Sequence, residues 1–147
     1  MTLIYDKVTV IGMGLIGASI SLSIRRGGLA GQVVGSDCST DVAKTVARLN
    51  ITDQFEFDPA IATKGADLVI MAVPVGAIGK LAEKIIPHMK SGAVLTDTGS
   101  TKSSVLRDVA SHLREDIHWL PSHPLAGTEH SGLSLIHISE PTRPRII

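Results

Sequence analysis

The stretch "KVTVIGMGLIGASISLSIRR", residues 7–26, constrains the fold more than any other part of the chain. A short β-branched run ends in glycines, and the apolar residues that follow recur at helical intervals. A strand therefore passes into a helix through a glycine-rich turn. Within it Gly12, Gly14 and Gly17 stand in the spacing GxGxxG, with Leu15 and Ile16 between the last two. Gly12 permits a tight turn, Gly14 lets a ligand approach the backbone, and Gly17 lets helix and strand pack closely. A pyrophosphate would then lie over the helix N-terminus, where unpaired N–H groups point outward. Glycine turns are common, so the motif by itself leaves a purely structural turn open.

The same alternation continues along the chain: "QVVGSD" then "STDVAKTVARLN", "DLVIMAVP" then "VGAIGKLAEKIIPHM", "GAVLTD" then "STKSSVLRDVASHLR", and finally "IHWLP". "FEF" is a candidate short strand and "PAIATKG" a brief helix. Strands separated by helices of this length pair in parallel through right-handed crossovers. The expected fold is α/β, a doubly wound, mostly parallel sheet of Rossmann type. Composition agrees, because 44% of the residues are hydrophobic and only 3% aromatic, leaving Ile, Val, Leu and Ala to build a core. Buried parallel sheets have this character. A length of 147 residues suits one domain,.

With 14 basic and 14 acidic residues the formal net charge is +0, which gives no electrostatic argument for nucleic acid or an anionic membrane,. A small molecule is the expected partner. Cys38 is the single cysteine, so an internal disulfide is excluded,. There is neither a leader-like start nor an apolar run of membrane length, and the expected location is the cytoplasm.

Asp37 closes the second strand 20 residues after Gly17. A carboxylate there accepts hydrogen bonds from the adenine ribose hydroxyls, which favours a dinucleotide over a structural turn. It also favours NAD over NADP, since a 2′-phosphate would be repelled and no Arg follows in "DCST". Cys38 reads as an incidental small residue beside the ribose. In "MAVPV" the fourth strand is expected to end at Ala72 and Val73, with Pro74 opening the next loop. Ligands of such sheets bind beyond the carboxyl ends of the strands, so Val73 and Pro74 should line the crevice. A proline near a helix start is the plainer reading.

"TDTGSTKSS" offers Asp97, Ser100 and Lys102 at the end of the fifth strand. Asp97 or Ser100 could simply cap a helix. At the carboxyl edge of the sheet, however, Ser100 would reach the nicotinamide end of the cofactor. "SHPLAGTEHSG" places His123 just after the sixth strand, followed by Pro124, Gly127, Glu129 and His130. The spacing of His123 and His130 matches no usual metal site, and no metal is expected. A single histidine in a loop is more often a solvated surface group, but Pro124 and the "AG" stiffen this loop at the cofactor's edge of the sheet. A dehydrogenase needs a base for the hydroxyl proton as hydride leaves the same carbon, a role the imidazole of His123 suits.

Together "VTVIGMGLIGASI", "VVGSD", "ADLVIMAVPVGA", "LTDTGSTKSSV" and "SHPLAGTEHSG" resemble the nucleotide-binding domain of the prephenate and arogenate dehydrogenases, the cyclohexadienyl dehydrogenases above all. The pairing of DxGSxK with HPxAGxExSG carries the resemblance, over residues 6–132. It implies NAD-dependent oxidative decarboxylation of a cyclohexadienol in tyrosine biosynthesis. Hydride passes from C4 to NAD, and loss of carbon dioxide from C1 gives the aromatic ring. On the same basis His123 is the catalytic histidine at the C4 hydroxyl. Ser100 orients that histidine and reaches the nicotinamide side, and Glu129 stands at the substrate-pocket entrance. The family continues into a helical second domain that forms a homodimer and supplies a substrate-binding arginine. Nothing after Gly132 resembles its start. The fragment is expected to bind cofactor without activity.

From Leu133 the tail reads "LSLIHISEPTR", which resembles the translation of one frame of a transposase-type sequencing adapter. The expected organisation is thus a dinucleotide-binding domain over 1–132 and a non-native tail over 133–147, loosely packed because it carries prolines and little periodicity. Two other readings stay open. Another NAD-dependent dehydrogenase of this fold class is one, although β-hydroxyacid types use a catalytic lysine and lack the "HPLAGTEHSG" loop. A non-catalytic NAD-binding sensor, which would need no His123 chemistry, is the other.

Overall fold

A computed structural model describes residues 3–99 and 102–122 of the chain. Six strands form one sheet in the order β3-β2-β1-β4-β5-β6, every neighbouring pair parallel. They are β1 (Tyr5–Ile11), β2 (Ala30–Ser36), β3 (Gln54–Glu56), β4 (Leu68–Met71), β5 (Val94–Asp97) and β6 (His118–Leu120). The helices are α1 (Leu15–Gly27), α2 (Thr40–Arg48), α3 (Pro59–Thr63), α4 (Val75–Ile85) and α5 (Lys102–Ala110), with a 3-10 turn at Ile86–His88. The expected doubly wound sheet is present.

Alternation along the strands builds two cores, one on each face. Val8 and Val10 of β1 and Ile70 of β4 meet Ile20 and Ile24 of α1 and Val42 and Val46 of α2. Ile11, Val69, Met71 and Leu95 point the other way, against Ile78, Ala82 and Ile85 of α4 and Val105 and Val109 of α5. Successive strand residues face opposite sides, so a β-branched run buried on both faces reads as continuously apolar.

Local signals set the helix ends. Gly28 ends α1 in the left-handed region (φ 62°), and its N–H donates to Arg25 O while that of Leu29 donates to Ile24 O,. Ser39 caps α2, its hydroxyl accepting the Val42 N–H at 3.2 Å, and Asp58 caps α3 through the Ala60 N–H at 2.9 Å,.

Several boundaries differ from the sequence expectation: β2 starts at Ala30 and ends at Ser36, before Asp37, α4 gives way to the 3-10 turn after Ile85, and α5 ends at Ala110. The strand at "FEF" begins one residue earlier, at Gln54, and releases Phe57, which is 50% exposed and stacks edge-on against Phe55. β4 stops at Met71 rather than running through Ala72 and Val73. Its neighbours explain this: β1 turns away at Gly12 after accepting the Ala72 N–H on Ile11 O, and β5 ends at Asp97. Val73 then has no strand to pair with, and Pro74 lies at the N-cap of α4.

The opposite edge of the sheet is tied by Asp67, just before β4. Its Oδ2 accepts the N–H groups of Asp6 (2.8 Å) and Lys7 (3.0 Å). Its Oδ1 pairs with the Lys90 ammonium. The bond from Lys90 in first place, helped by those two amides, holds the Asp67 carboxyl below the usual carboxylate range, although partial burial opposes this,.

Candidate functional site

β1 and β4 are adjacent, yet the helices that follow them lie on opposite faces, α1 on the Val8 side and α4 on the Met71 side. The loops leaving these strands therefore diverge, and a crevice opens between them at the carboxyl edge. Such a switch point is where open α/β sheets bind ligands.

Each glycine of the motif has a separate cause. Gly12 has φ 94°, its N–H donates to Ser36 O at 2.7 Å, and a Cβ there would lie 2.3 Å from Ala72 O. A Cβ on Gly17 would lie 1.8 Å from Gly12 O, so the start of α1 rests directly on the turn. Gly14 differs: its φ of −72° and ψ of −163° suit any residue, and a Cβ would meet nothing within 4 Å. Neither backbone nor packing within the described residues requires glycine there. The helix that Gly14 opens has no side-chain cap and no acidic residue in its first turn. Among the described residues its first amides thus have no side-chain cap, and the position of a Gly14 Cβ faces space that no described residue fills, which suits an anion. Leu15 and Ile16 stand beside it, 86% and 56% exposed. These features fit a dinucleotide pyrophosphate.

Asp37 follows β2 and bends over the same loop. Its Oδ2 accepts the Met13 N–H at 2.9 Å, and its Oδ1 accepts the Ser39 N–H at 3.0 Å. The carboxylate thereby closes a turn and pins the glycine loop to β2. A carboxylate has acceptor capacity beyond two bonds, so this leaves it able to meet ribose hydroxyls. Cys38 is exposed next to it. Val73 is partly buried and Pro74 exposed across the crevice, and a Cβ on Gly12 would also stand 3.0 Å from Val73 Cγ1.

At the next loop Asp97 is fully buried. Its Oδ2 accepts the Gly99 N–H at 2.7 Å and its Oδ1 accepts the Ser122 N–H at 3.2 Å. Because the second bond spans 25 residues, Asp97 does more than the helix capping weighed from sequence. Ser100, His123 and Glu129 lie outside the described residues, as do Pro124, Gly127, His130, the tail 133–147 and the side chain of Lys102. The described part brings together Gly12, Gly14, Leu15, Ile16, Gly17, Asp37, Val73 and Pro74 around one crevice.

Two features escaped the sequence reading. Met13, inside the glycine motif, is buried, its Sδ 3.8 Å from the Ser21 hydroxyl, which donates to Gly17 O at 2.9 Å, and that sulfur sits 3.1 Å from where a Gly35 Cβ would be. Its apolar character within a glycine run was the available signal. The second was the reach of Asp97 to Ser122, which only the placement of β6 beside β5 reveals. Among the described residues no group of three or more His, Cys, Asp and Glu is arranged to hold a metal ion. Among the same residues no helix is long and apolar enough to cross a membrane.

Comparison with known proteins bears on this site. The family described as "Prephenate dehydrogenase, nucleotide-binding domain" matches residues 20–137. The chain is 36% identical over 129 residues to a cyclohexadienyl dehydrogenase of Zymomonas mobilis, covering 88% of this chain and 44% of that protein. It is 31% identical over 133 residues to the prephenate dehydrogenase of Bacillus subtilis, covering 88% of this chain and 35% of the relative. The chain thus spans less than half the length of these relatives. Among solved structures, prephenate dehydrogenase from A. aeolicus, in complex with hydroxyphenyl propionate and NAD+, superposes with a TM-score of 0.75 at 28% identity. That match covers 91% of this chain and 46% of the other. Synechocystis arogenate dehydrogenase gives a TM-score of 0.71 at 25% identity, over 80% of this chain and 40% of that one.

Proposed function

The chain belongs to the family of prephenate dehydrogenase nucleotide-binding domains, and on that premise we propose that it is the NAD-binding part of a dehydrogenase that oxidises and decarboxylates prephenate, arogenate or both. The observation that carries this reading is Gly14, a glycine that nothing within the described fold requires, beside an uncapped helix start. Preference for NAD over NADP rests on Asp37, whose carboxylate sits at the glycine loop and would repel a 2′-phosphate,.

When bound, NAD supplies the acceptor for the hydride that leaves C4 of the substrate ring. The protein has to orient that carbon and manage one proton. His123 accepts the proton of the C4 hydroxyl as the carbonyl forms, and Ser100 orients the imidazole. When the bond from C1 to the carboxyl group breaks, carbon dioxide leaves. The electron pair flows through the ring to the same oxygen, to which His123 can return the proton. Glu129 stands at the pocket entrance. A cytoplasmic location, and a homodimer formed through a second domain, belong to the same proposal.

Calorimetric titration of NAD and NADP into the chain tests the cofactor reading. Saturable binding of NAD, weaker for NADP, is expected. Absence of NAD binding by demonstrably folded protein overturns it, and equal affinity for both overturns the role given to Asp37.

A further inference from the structure

We infer that Asp97 is a positioning residue, a buried carboxylate that clamps the loop leading to Ser100 against the segment leading to His123. The inference rests on the proposed function, which gives those two residues their roles. Parallel pairing of β5 with β6 places Thr96 opposite Leu120. The ladder includes the His118 N–H on Ala93 O at 2.8 Å. Rungs of a parallel ladder recur every two residues, so the rung beyond Leu120 belongs to the Ser122 N–H and would fall on the carbonyl of Asp97. Its carboxylate Oδ1 takes that place, at 3.2 Å. Pro121 between them has no N–H to offer. The side chain thus continues the sheet one rung past the end of the strands. The Thr96 hydroxyl reinforces the same junction by donating to Leu120 O at 2.6 Å.

The other oxygen closes the turn in its own loop, accepting from Gly99 at 2.7 Å. Gly99 is glycine for this reason: a Cβ there would stand 2.8 Å from Asp97 Oδ2, 2.9 Å from Val105 Cγ2 and 3.1 Å from Ile78 Cδ1. Asp97, Gly99 and the helices α4 and α5 form one packed unit, with the carboxylate at 0% exposure. Each clamped amide is one residue short of a proposed site residue, Gly99 before Ser100 and Ser122 before His123. Only a carboxylate presents an acceptor oxygen to both amides, because the amide of Asn replaces one oxygen with a donor.

The test is nuclear magnetic resonance on the whole chain and its Asp97→Asn and Gly99→Ala variants, with NAD titrated into each. Asp97→Asn should accelerate hydrogen exchange at the Gly99 or Ser122 amide at least tenfold while leaving Val69 and Ile70 unchanged. It should also abolish magnetisation transfer between the His123 ring and the Ser100 side chain, with NAD affinity held within about threefold. Gly99→Ala, which keeps the carboxylate but displaces it, should weaken the same transfer. A general rise in exchange that includes Val69 and Ile70 makes Asp97 merely structural and overturns the inference, as does an unaltered transfer in Asp97→Asn. Failure of the unsubstituted chain to bind NAD, with the transfer intact, sinks the proposed function and leaves the clamp standing.

Discussion

At the scale of single residues the three motif glycines separate by cause, and substitution tells them apart. Ala at Gly12 combines a left-handed φ with a Cβ only 2.3 Å from Ala72 O, and should cost roughly 2–4 kcal/mol of stability. Ala at Gly17 meets Gly12 O and should cost as much. Ala at Gly14 meets nothing, so stability should stay within about 0.5 kcal/mol while NAD affinity falls about tenfold or more, or roughly 1.4 kcal/mol. Urea unfolding paired with calorimetric titration reads both quantities. A Gly14→Ala variant that unfolds early but binds normally would reverse the assignment. The sequence makes the motif legible because glycine at fixed spacing has few substitutes. Motif position also assigns each glycine its role, but not the severity of each clash, which depends on atoms brought in from Ala72 and from the turn itself.

At the scale of elements, alternating β-branched and helical runs make the order of strands and helices legible, and buried parallel strands explain why. Strand ends were less legible. β4 ends where β1 and β5 leave it, a fact about neighbours rather than about "MAVPV". The reach of Asp97 was hidden for the same reason, because Ser122 becomes its neighbour only through the β5 and β6 register. Asp67 is the corresponding tie at the opposite edge, and it gives the sheet an acid sensitivity. Its folded-state pKa is depressed, first by the bond from Lys90. Its contribution is therefore present above the unfolded carboxylate value of about 4 and is lost as pH falls through the lower folded value. Asp67→Asn should accordingly be less stable than the parent at neutral pH, and the gap should narrow on acidification below about pH 4. Thermal melts at a series of pH values measure it, and a gap independent of pH would show that Lys90 contributes nothing through charge.

At the scale of the whole molecule, both faces of the sheet are already covered, by α1 and α2 on one side and by α4 and α5 on the other. A core closed on both sides by its own helices should unfold cooperatively without further chain. Cofactor binding to the native state alone should then raise its stability by about 2.7 kcal/mol at a hundredfold excess over Kd, which moves Tm by roughly 10 °C for a domain of this size. A chain ending at Gly132 should show the same Tm and the same NAD-induced rise as the full 147 residues, because residues 8–117 on their own supply both cores. Gly14→Ala provides the control, since its unliganded Tm should match the parent while the rise at the same NAD concentration shrinks. Scanning calorimetry with and without NAD on these three proteins decides the matter. If shortening at Gly132 lowers Tm, or removes the response to NAD, then residues 133–147 are part of the folded unit and the assignment of the domain to 1–132 fails. If the melt is broad and insensitive to NAD in all three, the two cores do not make a cooperative whole, and the crevice at the carboxyl edge loses its support as a cofactor site.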